Sequence, residues 1–439
     1  MKRLIYSDLL TWKNRNDRKP LILLGARQVG KTYILKEFGS NEFKNMIYVN
    51  CHKNKFAESL FRDFSVSRII VELERYYETK IVAGECIVIF DEIQEVRDGL
   101  AALKYFCEEM PSLHVAVAGS LLGISLKENE SYPVGKVNTM RMYPMTFTEF
   151  LVASGRIQLV DMLNSLEWDS INLFADVLIN YLRQYYFVGG MPEAVRSYTT
   201  NGDTALVREI QKEILDAYMR DISKHTKHKA ERIRQLWNSI PAQLARENKK
   251  FIFGAVKKSA RAADYEDAIQ WLVDAGLVYK IERASAPVMP LKFYCDYAAF
   301  KLFSIDCGLL AAMCEASSKD MLLGTHAFVE FKGAFTESFV LQQFKAVTDG
   351  LPYYFSKDNS TMEVDFMCQL QNRIIPIEVK AEVNVKSKSL NNFVNKDFAN
   401  EHLKALRISM KPFIDQGWME NIPLYAAESY FRHLKTETW

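Results

Sequence analysis

The apolar positions of the first third of the chain come in short unbroken runs. "PLILLG" (20–25), "ECIVIFDEIQ" (85–94) and "LHVAVAGS" (113–120) each read as a strand covered on both faces, the pattern of a parallel sheet. Between the first two, "KTYILKEF" places Tyr33, Ile34, Leu35 and Phe38 on a helix. From Phe150 to about Lys229 the rhythm changes to spacings of three and four, as in "ADVLINYLRQYYFV" and "LVREIQKEILDAYMRDI", and "VGGMPEAV" breaks it as a turn. Tyr185, Tyr186 and Phe187 in this stretch read as helical core in preference to an adenine stack. Next, "FIFGAVKKSARAADYEDAIQWLVDAGLVYKIE" predicts a helix, a break, and a second helix from about Ala262 to Ala275, stopped by Gly276 before a strand that opens with Leu277. That is the outline of a winged helix. Around Gly333 an amphipathic helix, "GAFTESFVLQQFKAV", carries Phe335, Phe339, Val340 and Phe344 on its apolar stripe with Glu337 among them. Three strands follow as a meander, "LPYYFSK", "MEVDFMCQL" and "RIIPIEVKA".

The first strand runs into "GARQVGKT", a phosphate-binding loop of the form GxxxxGK[ST] made of Gly25, Ala26, Arg27, Gln28, Val29, Gly30, Lys31 and Thr32. Glycines let backbone amides cradle phosphates at a helix N-terminus, Lys31 reaches the outer phosphates, and Thr32 offers its hydroxyl to magnesium. The second strand ends in Asp91 and Glu92, a Walker B arrangement at the sheet edge where doubly wound folds place their ligands. Asp91 is the candidate magnesium ligand, and Glu92 the candidate group that orients or deprotonates the attacking water. Ser120, at the end of the third strand, is either a sensor of the terminal phosphate or a helix cap.

With 439 residues the chain is expected to form about two to four domains. Lysine plus arginine (56) and aspartate plus glutamate (54) nearly balance, so any nucleic-acid surface has to be local. The local candidates are Lys257, Lys258 and Arg261 ahead of the second winged-helix-like helix, whose own Asp264, Glu266 and Asp267 would repel a phosphate backbone, and the strip of Lys380, Lys386 and Lys388. His225 and His228, without a third ligand, read as part of a basic solvated helix or linker. The seven cysteines are scattered without a CxxC pair, which predicts buried reduced thiols. No apolar run approaches the roughly 20 residues that cross a bilayer, and the start lacks the pattern of a signal peptide, so the expected location is the cytoplasm.

The succession "GARQVGKT", "FDEIQ", "LKYF", "AGSLLG", "YPMTFTEF", "GGMPEAV", "KLFSIDCGLL", "GAFTESFVLQQF" and "PIEVKA" resembles the bacterial and archaeal AAA-type ATPases of the AAA+ superfamily, whose C-terminal half is a domain of unknown function related to PD-(D/E)XK nucleases. The resemblance implies an α/β protein in four parts: a P-loop AAA+ core (1–150), a helical lid and linker (151–229), a winged-helix-like domain (230–320) and a restriction-endonuclease-like α/β domain (321–439). It supports Glu337, Asp365, Glu378 and Lys380 as a nuclease-like constellation, in which carboxylates hold one or two magnesium ions and Lys380 positions or activates water. Where the family carries a Gly-Arg pair this chain has Gly135 and Lys136, with Arg141 nearer Tyr143, so Lys136 and Arg141 are both candidates for the arginine's role. The expected cofactors are ATP and magnesium, with a second magnesium site at the nuclease-like constellation. The leading expectation is an ATPase whose cycle controls that domain, acting on DNA; the alternative is a regulatory switch whose C-terminal half binds protein partners without catalysis. Homo-oligomerisation is implied by the resemblance alone.

Overall fold

A computed structural model describes residues 2–120, 122–124, 133–224, 227–246, 250–324, 332–357, 362–381 and 387–436. His225 and Lys386 lie outside the described residues. The chain divides into two compact units, one of Met1–Tyr143 with Asp274–Gly276 and one of Pro144–Val273 with Leu277–Trp439.

The first unit is built on a five-stranded parallel sheet of β1 (Leu21–Leu24), β2 (Asn45–Asn50), β3 (Cys86–Asp91), β4 (His114–Ala118) and β5 (Asn138–Arg141), in the order β2-β3-β4-β1-β5. Its longer helices are α1 (Ile5–Asn14), α2 (Lys31–Glu42), α3 (Val66–Tyr77) and α4 (Gly99–Glu109). Every residue of β1, β3 and β4 is buried, as the unbroken apolar runs require of strands covered on both faces. One face packs Ile22, Val49, Val88, Phe90 and Val115 against Ile69 and Leu73 of α3 and Leu103 and Phe106 of α4. Each such buried side chain stabilises the unit by about 1.5–3 kcal/mol relative to exposure. The four residues expected on a helix lie on α2, where Ile34, Leu35 and Phe38 are buried and Tyr33 points outward, 57% exposed. The strand order inserts β4 between β1 and β3, so the end of β4 stands between the phosphate loop and the Asp91–Glu92 pair.

The second unit contains helices α5 (Phe147–Ala153), α6 (Ala175–Val188), α7 (Pro192–Asn201), α8 (Thr204–Ile222), α9 (Lys227–Leu244), α10 (Ala262–Asp274, up to Val273), α11 (Cys307–Met313), α12 (Lys332–Thr348) and α13 (Ala427–Thr436). Its eight strands are β6 (Val278–Ala284), β7 (Cys295–Ser304), β8 (Tyr353–Ser356), β9 (Glu363–Leu370), β10 (Arg373–Val379), β11 (Ala405–Ser409), β12 (Ile414–Asp415) and β13 (Met419–Pro423), in the order β12-β13-β11-β10-β9-β8-β6-β7. β8, β9 and β10 form the antiparallel meander that the alternation predicts, and β11 then pairs with β10, and β13 with β11, in parallel. The β6–β7 hairpin follows α10, as helix and hairpin were expected to, and joins the same sheet where Arg283 lies opposite Tyr354.

Four of the quoted sequence motifs meet in one buried knot of this unit. Phe147, Tyr185 and Phe339 pack edge to face, with ring centroids 5.7–6.1 Å apart. Around them Gln343 Oε1 accepts from Phe147 N, Gln342 Nε2 donates to Tyr185 Oη (2.9 Å) and to Asp306 Oδ2 (3.1 Å), and Asp306 Oδ2 also accepts from Gly190 N (2.6 Å). Gly189 has φ +75°, ψ −164°, and a Cβ there would lie 2.2 Å from Asp306 Oδ1. Only glycine fits such a turn without strain. Tyr185, Tyr186 and Phe187 are thus core, in line with the first of their two readings.

Candidate functional site

The phosphate loop leaves β1 through Gly25 (φ +149°), passes Gln28 (φ +67°) and enters α2 at Gly30 (φ +98°). A Cβ on Gly25 would sit 2.3 Å from the carbonyl oxygen of Met142, so backbone has taken the space a side chain needs. Arg3 Nη1 donates to the carbonyl of Val29 at 2.9 Å and steadies the loop from the N-terminal segment, a contact with no signal in the sequence. Lys31 Nζ donates to the carbonyls of Gly25 and Ala26, each at 2.8 Å, and thus lies over the loop that would hold phosphate. Burial lowers the Lys31 ammonium to about 8, while Glu92 and Asp91 act to hold it up.

Thr32 Oγ1 donates to Asp91 Oδ2 at 2.8 Å, so the hydroxyl and carboxylate named from sequence as magnesium ligands are already side by side. The same oxygen accepts from Tyr48 Oη at 2.9 Å. Tyr48 comes from β2, whose register sets Asn50 opposite Asp91. Burial and Asp91 together push the Tyr48 phenol well above its ordinary value, which keeps it a donor. Glu92 sits at φ +54°, a left-handed conformation uncommon for a non-glycine residue, with its N–H donating to Ala118 O at 2.7 Å. Its Oε2 accepts from Ser120 N (3.0 Å), Ser120 Oγ (3.2 Å) and Gln94 Nε2 (2.5 Å). Ser120 and Gln94 therefore orient the carboxylate. Gly119 leaves the room that the Gln94 amide occupies, since a Cβ there would lie 2.0 Å from Gln94 Oε1.

The four residues of the nuclease-like constellation also come together. Glu337 is buried on α12, Asp365 is on β9, Glu378 is buried on β10 and Lys380 follows that strand. Lys380 Nζ pairs with Glu378 Oε1 at 3.2 Å, and Asp365 Oδ2 accepts from Val379 N at 2.7 Å. Burial pulls the Lys380 ammonium down, but Glu378, Asp365 and Glu337 outweigh it and raise it above the ordinary lysine value. Two further residues belong to this cluster: Lys301 on β7, which pairs with Glu363 on β9. Both lay within quoted stretches, yet neither was singled out; the one available signal was a lysine inside the apolar run "AAFKLFSI".

The model of an AAA domain matches residues 17–151. This segment is a P-loop domain of the AAA type. Beyond it, residues 179–320 match a domain of unknown function, DUF8612, and residues 332–423 match another, DUF4143. No curated protein matches the sequence. Among solved structures, the chain is similar to the Walker-type ATPase PABY2304 of Pyrococcus abyssi (17% identity, 71% of this chain and 95% of that one, TM-score 0.45). It is also similar to the ORC2 protein of Aeropyrum pernix in its ADP form (13% identity, 74% and 95%, TM-score 0.32) and to Cdc6p of Pyrobaculum aerophilum (14% identity, 74% and 96%, TM-score 0.26).

In the AAA domain, Lys136 is engaged in a surface pair with Glu108 at 3.0 Å, and Arg141 is exposed on β5. Lys257, Lys258 and Arg261 are exposed, as are Asp264, Glu266 and Asp267. All seven cysteines are free thiols, but the expectation that they are buried holds for only four: Cys107 and Cys295 are partly exposed and Cys314 is exposed. Among the described residues, no group of three or more histidine, cysteine, aspartate or glutamate side chains is placed to hold a metal ion, and no helix is long and apolar enough to cross a membrane.

Proposed function

We propose that this protein binds ATP with magnesium at Gly25–Thr32, hydrolyses it, and uses the cycle to change the state of its second unit. The observation that carries the proposal is the Thr32 Oγ1–Asp91 Oδ2 contact at 2.8 Å beside a Glu92 oriented by Ser120 and Gln94. A hydroxyl and one carboxylate fit magnesium that arrives with its nucleotide, because that ion keeps several waters and takes its other ligands from phosphate. Magnesium, when bound, draws charge from the transferring phosphoryl group. The chain's own residues do the rest. The loop amides from Ala26 to Thr32 bind the phosphates, Lys31 moves from the Gly25 and Ala26 carbonyls to an outer phosphate, and Glu92 takes the proton of the attacking water.

For the second unit, one reading is a nuclease-like domain acting on DNA through Glu337, Asp365, Glu378 and Lys380, with the exposed Lys257, Lys258 and Arg261 as phosphate contacts. One observation favours the other reading, a noncatalytic module that binds protein partners: Lys301, fully buried, already stands among those carboxylates. Magnesium-dependent phosphate release from ATP by the native chain and the Glu92→Gln variant tests the first half. Incubation with single-stranded, duplex and branched DNA, native against Asp365→Ala, tests the second: cleavage lost in the variant restores the nuclease reading. Location in the cytoplasm and self-association remain part of the proposal; a monomer at all concentrations with ATP and magnesium refutes the latter.

A further inference from the structure

Lys301 lies in the inner half of β7, where every residue from Ala299 to Ser304 is buried, and its own side chain is 0% exposed. An ammonium group in such a place has to be paired, since an uncompensated buried charge strongly destabilises a fold. Its Nζ pairs with Glu363 Oε1 and lies 4.7 Å from the centre of the Tyr354 ring. Glu363 and Asp365 are two apart on β9 and so share a face, and the β9–β10 register that sets Phe366 opposite Ile377 brings Asp365 level with Glu378. Burial works against the charge of Lys301, but Glu337, Glu363 and Asp365 outweigh it and hold the lysine above its ordinary value.

We infer that Lys301 is the resident cation of the carboxylate cluster formed by Glu337, Glu363, Asp365 and Glu378, and that the cluster in the native chain does not take up a divalent metal ion. The donor set supports this. Glu363 Oε1 is committed to Lys301, Glu378 Oε1 to Lys380 and Asp365 Oδ2 to the Val379 amide. Among the described residues no three acidic, histidine or cysteine side chains are placed to share one ion, so the cluster offers no magnesium or manganese site that leaves these partners in place. A divalent ion would also be repelled by the ammonium groups of Lys301, which is fully buried, and of Lys380, whose side chain is 38% exposed. Lys301 thereby ties β7 of the hairpin to β9 of the meander. The inference rests on the noncatalytic reading of the second unit and not on ATP hydrolysis.

The test is binding of Mn2+, followed by electron paramagnetic resonance, to the full nucleotide-free chain carrying Asp91→Asn so that the phosphate-loop site is silent. Up to about 1 mM Mn2+, no stoichiometric site is expected. Adding Lys301→Met should create one bound Mn2+ per chain, and adding Asp365→Asn to that variant should remove it. A stoichiometric site in the Asp91→Asn chain that disappears with Asp365→Asn overturns the inference, and this arm decides the matter even if Lys301→Met fails to fold. A folded Lys301→Met chain that gains no site overturns it as well. ATP hydrolysis by the native chain is read separately, so failure of one reading leaves the other standing.

Discussion

Replacing Asp306 by alanine removes a carboxylate that is 1% exposed and accepts three hydrogen bonds: from Gly190 N at 2.6 Å, from Leu309 N at 2.9 Å, where it caps α11, and from Gln342 Nε2 at 3.1 Å. Hydrogen bonds to a charged group contribute about 1.5–3 kcal/mol each, and the donors stranded in a dry interior keep their desolvation cost. Burial opposes the ionised carboxylate and pushes Asp306 above the ordinary aspartate value despite these donors, so part of the gross contribution is offset. The net cost is about 3–5 kcal/mol, among the larger effects of a single substitution. In a unit of about 290 residues that lowers the unfolding midpoint by about 5–8 °C. Differential scanning calorimetry measures the shift, with nucleotide affinity as the control, because the phosphate loop makes none of these bonds and should keep its ATP. Asp306→Asn should fall between native and alanine: its carbonyl can still serve one set of donors while its amide nitrogen faces the other. An alanine variant whose midpoint moves by less than about 1 °C refutes the view that this knot holds the second unit together.

Glu92→Gln should keep ATP binding while hydrolysis falls by about 10²–10⁴-fold, read as retained binding of a fluorescent nucleotide against lost phosphate release. Tyr48→Phe removes one donor to Asp91 and should weaken the magnesium dependence of hydrolysis by roughly tenfold, corresponding to one hydrogen bond to a charged group; an unchanged magnesium titration argues against the contact. Lys31 offers a pH test: its folded value near 8 lies below its ordinary 10.5, so between these the unfolded chain binds more protons and the nucleotide-free fold gains stability as pH rises. Phosphate favours the ammonium, so ATP binding above pH 8 should take up a proton and weaken with rising pH; calorimetry in two buffers of different ionisation enthalpy that finds no uptake refutes this.

Much of the first unit was legible because its chemistry is local. Thr32 follows Lys31 on one helix turn, and Asp91 and Glu92 end a strand whose six residues are all buried, so the phosphate loop and the Walker B pair announce themselves within ten residues each. Tyr48 and Arg3 escaped notice because their partners, Asp91 and Val29, are 43 and 26 residues away and a tyrosine or arginine in those contexts has many ordinary explanations. Ser120 was placed correctly at the end of a strand, but only the strand order, with β4 inserted between β1 and β3, brings it onto Glu92.

The second unit was legible as pattern and less so as purpose. Its meander and the buried stripe of α12 follow from alternation and spacing, whereas "GGMPEAV", read as a turn, and "KLFSIDCGLL", quoted only for the resemblance, meet in the core. Gly189 leaves room for Asp306, and Asp306 holds Gly190 and Gln342. Lys301, five residues before that aspartate in the first letter of the same string, has the opposite character: a charge that a buried strand would exclude unless carboxylates waited for it. The glycine pair and the aspartate are explained by packing, whereas the lysine in the buried strand is explained only by the carboxylates beside it. For that reason the nuclease-like cluster is better judged by what Lys301 does among Glu337, Glu363 and Asp365 than by the presence of Glu378 and Lys380, which any half-buried strand could carry.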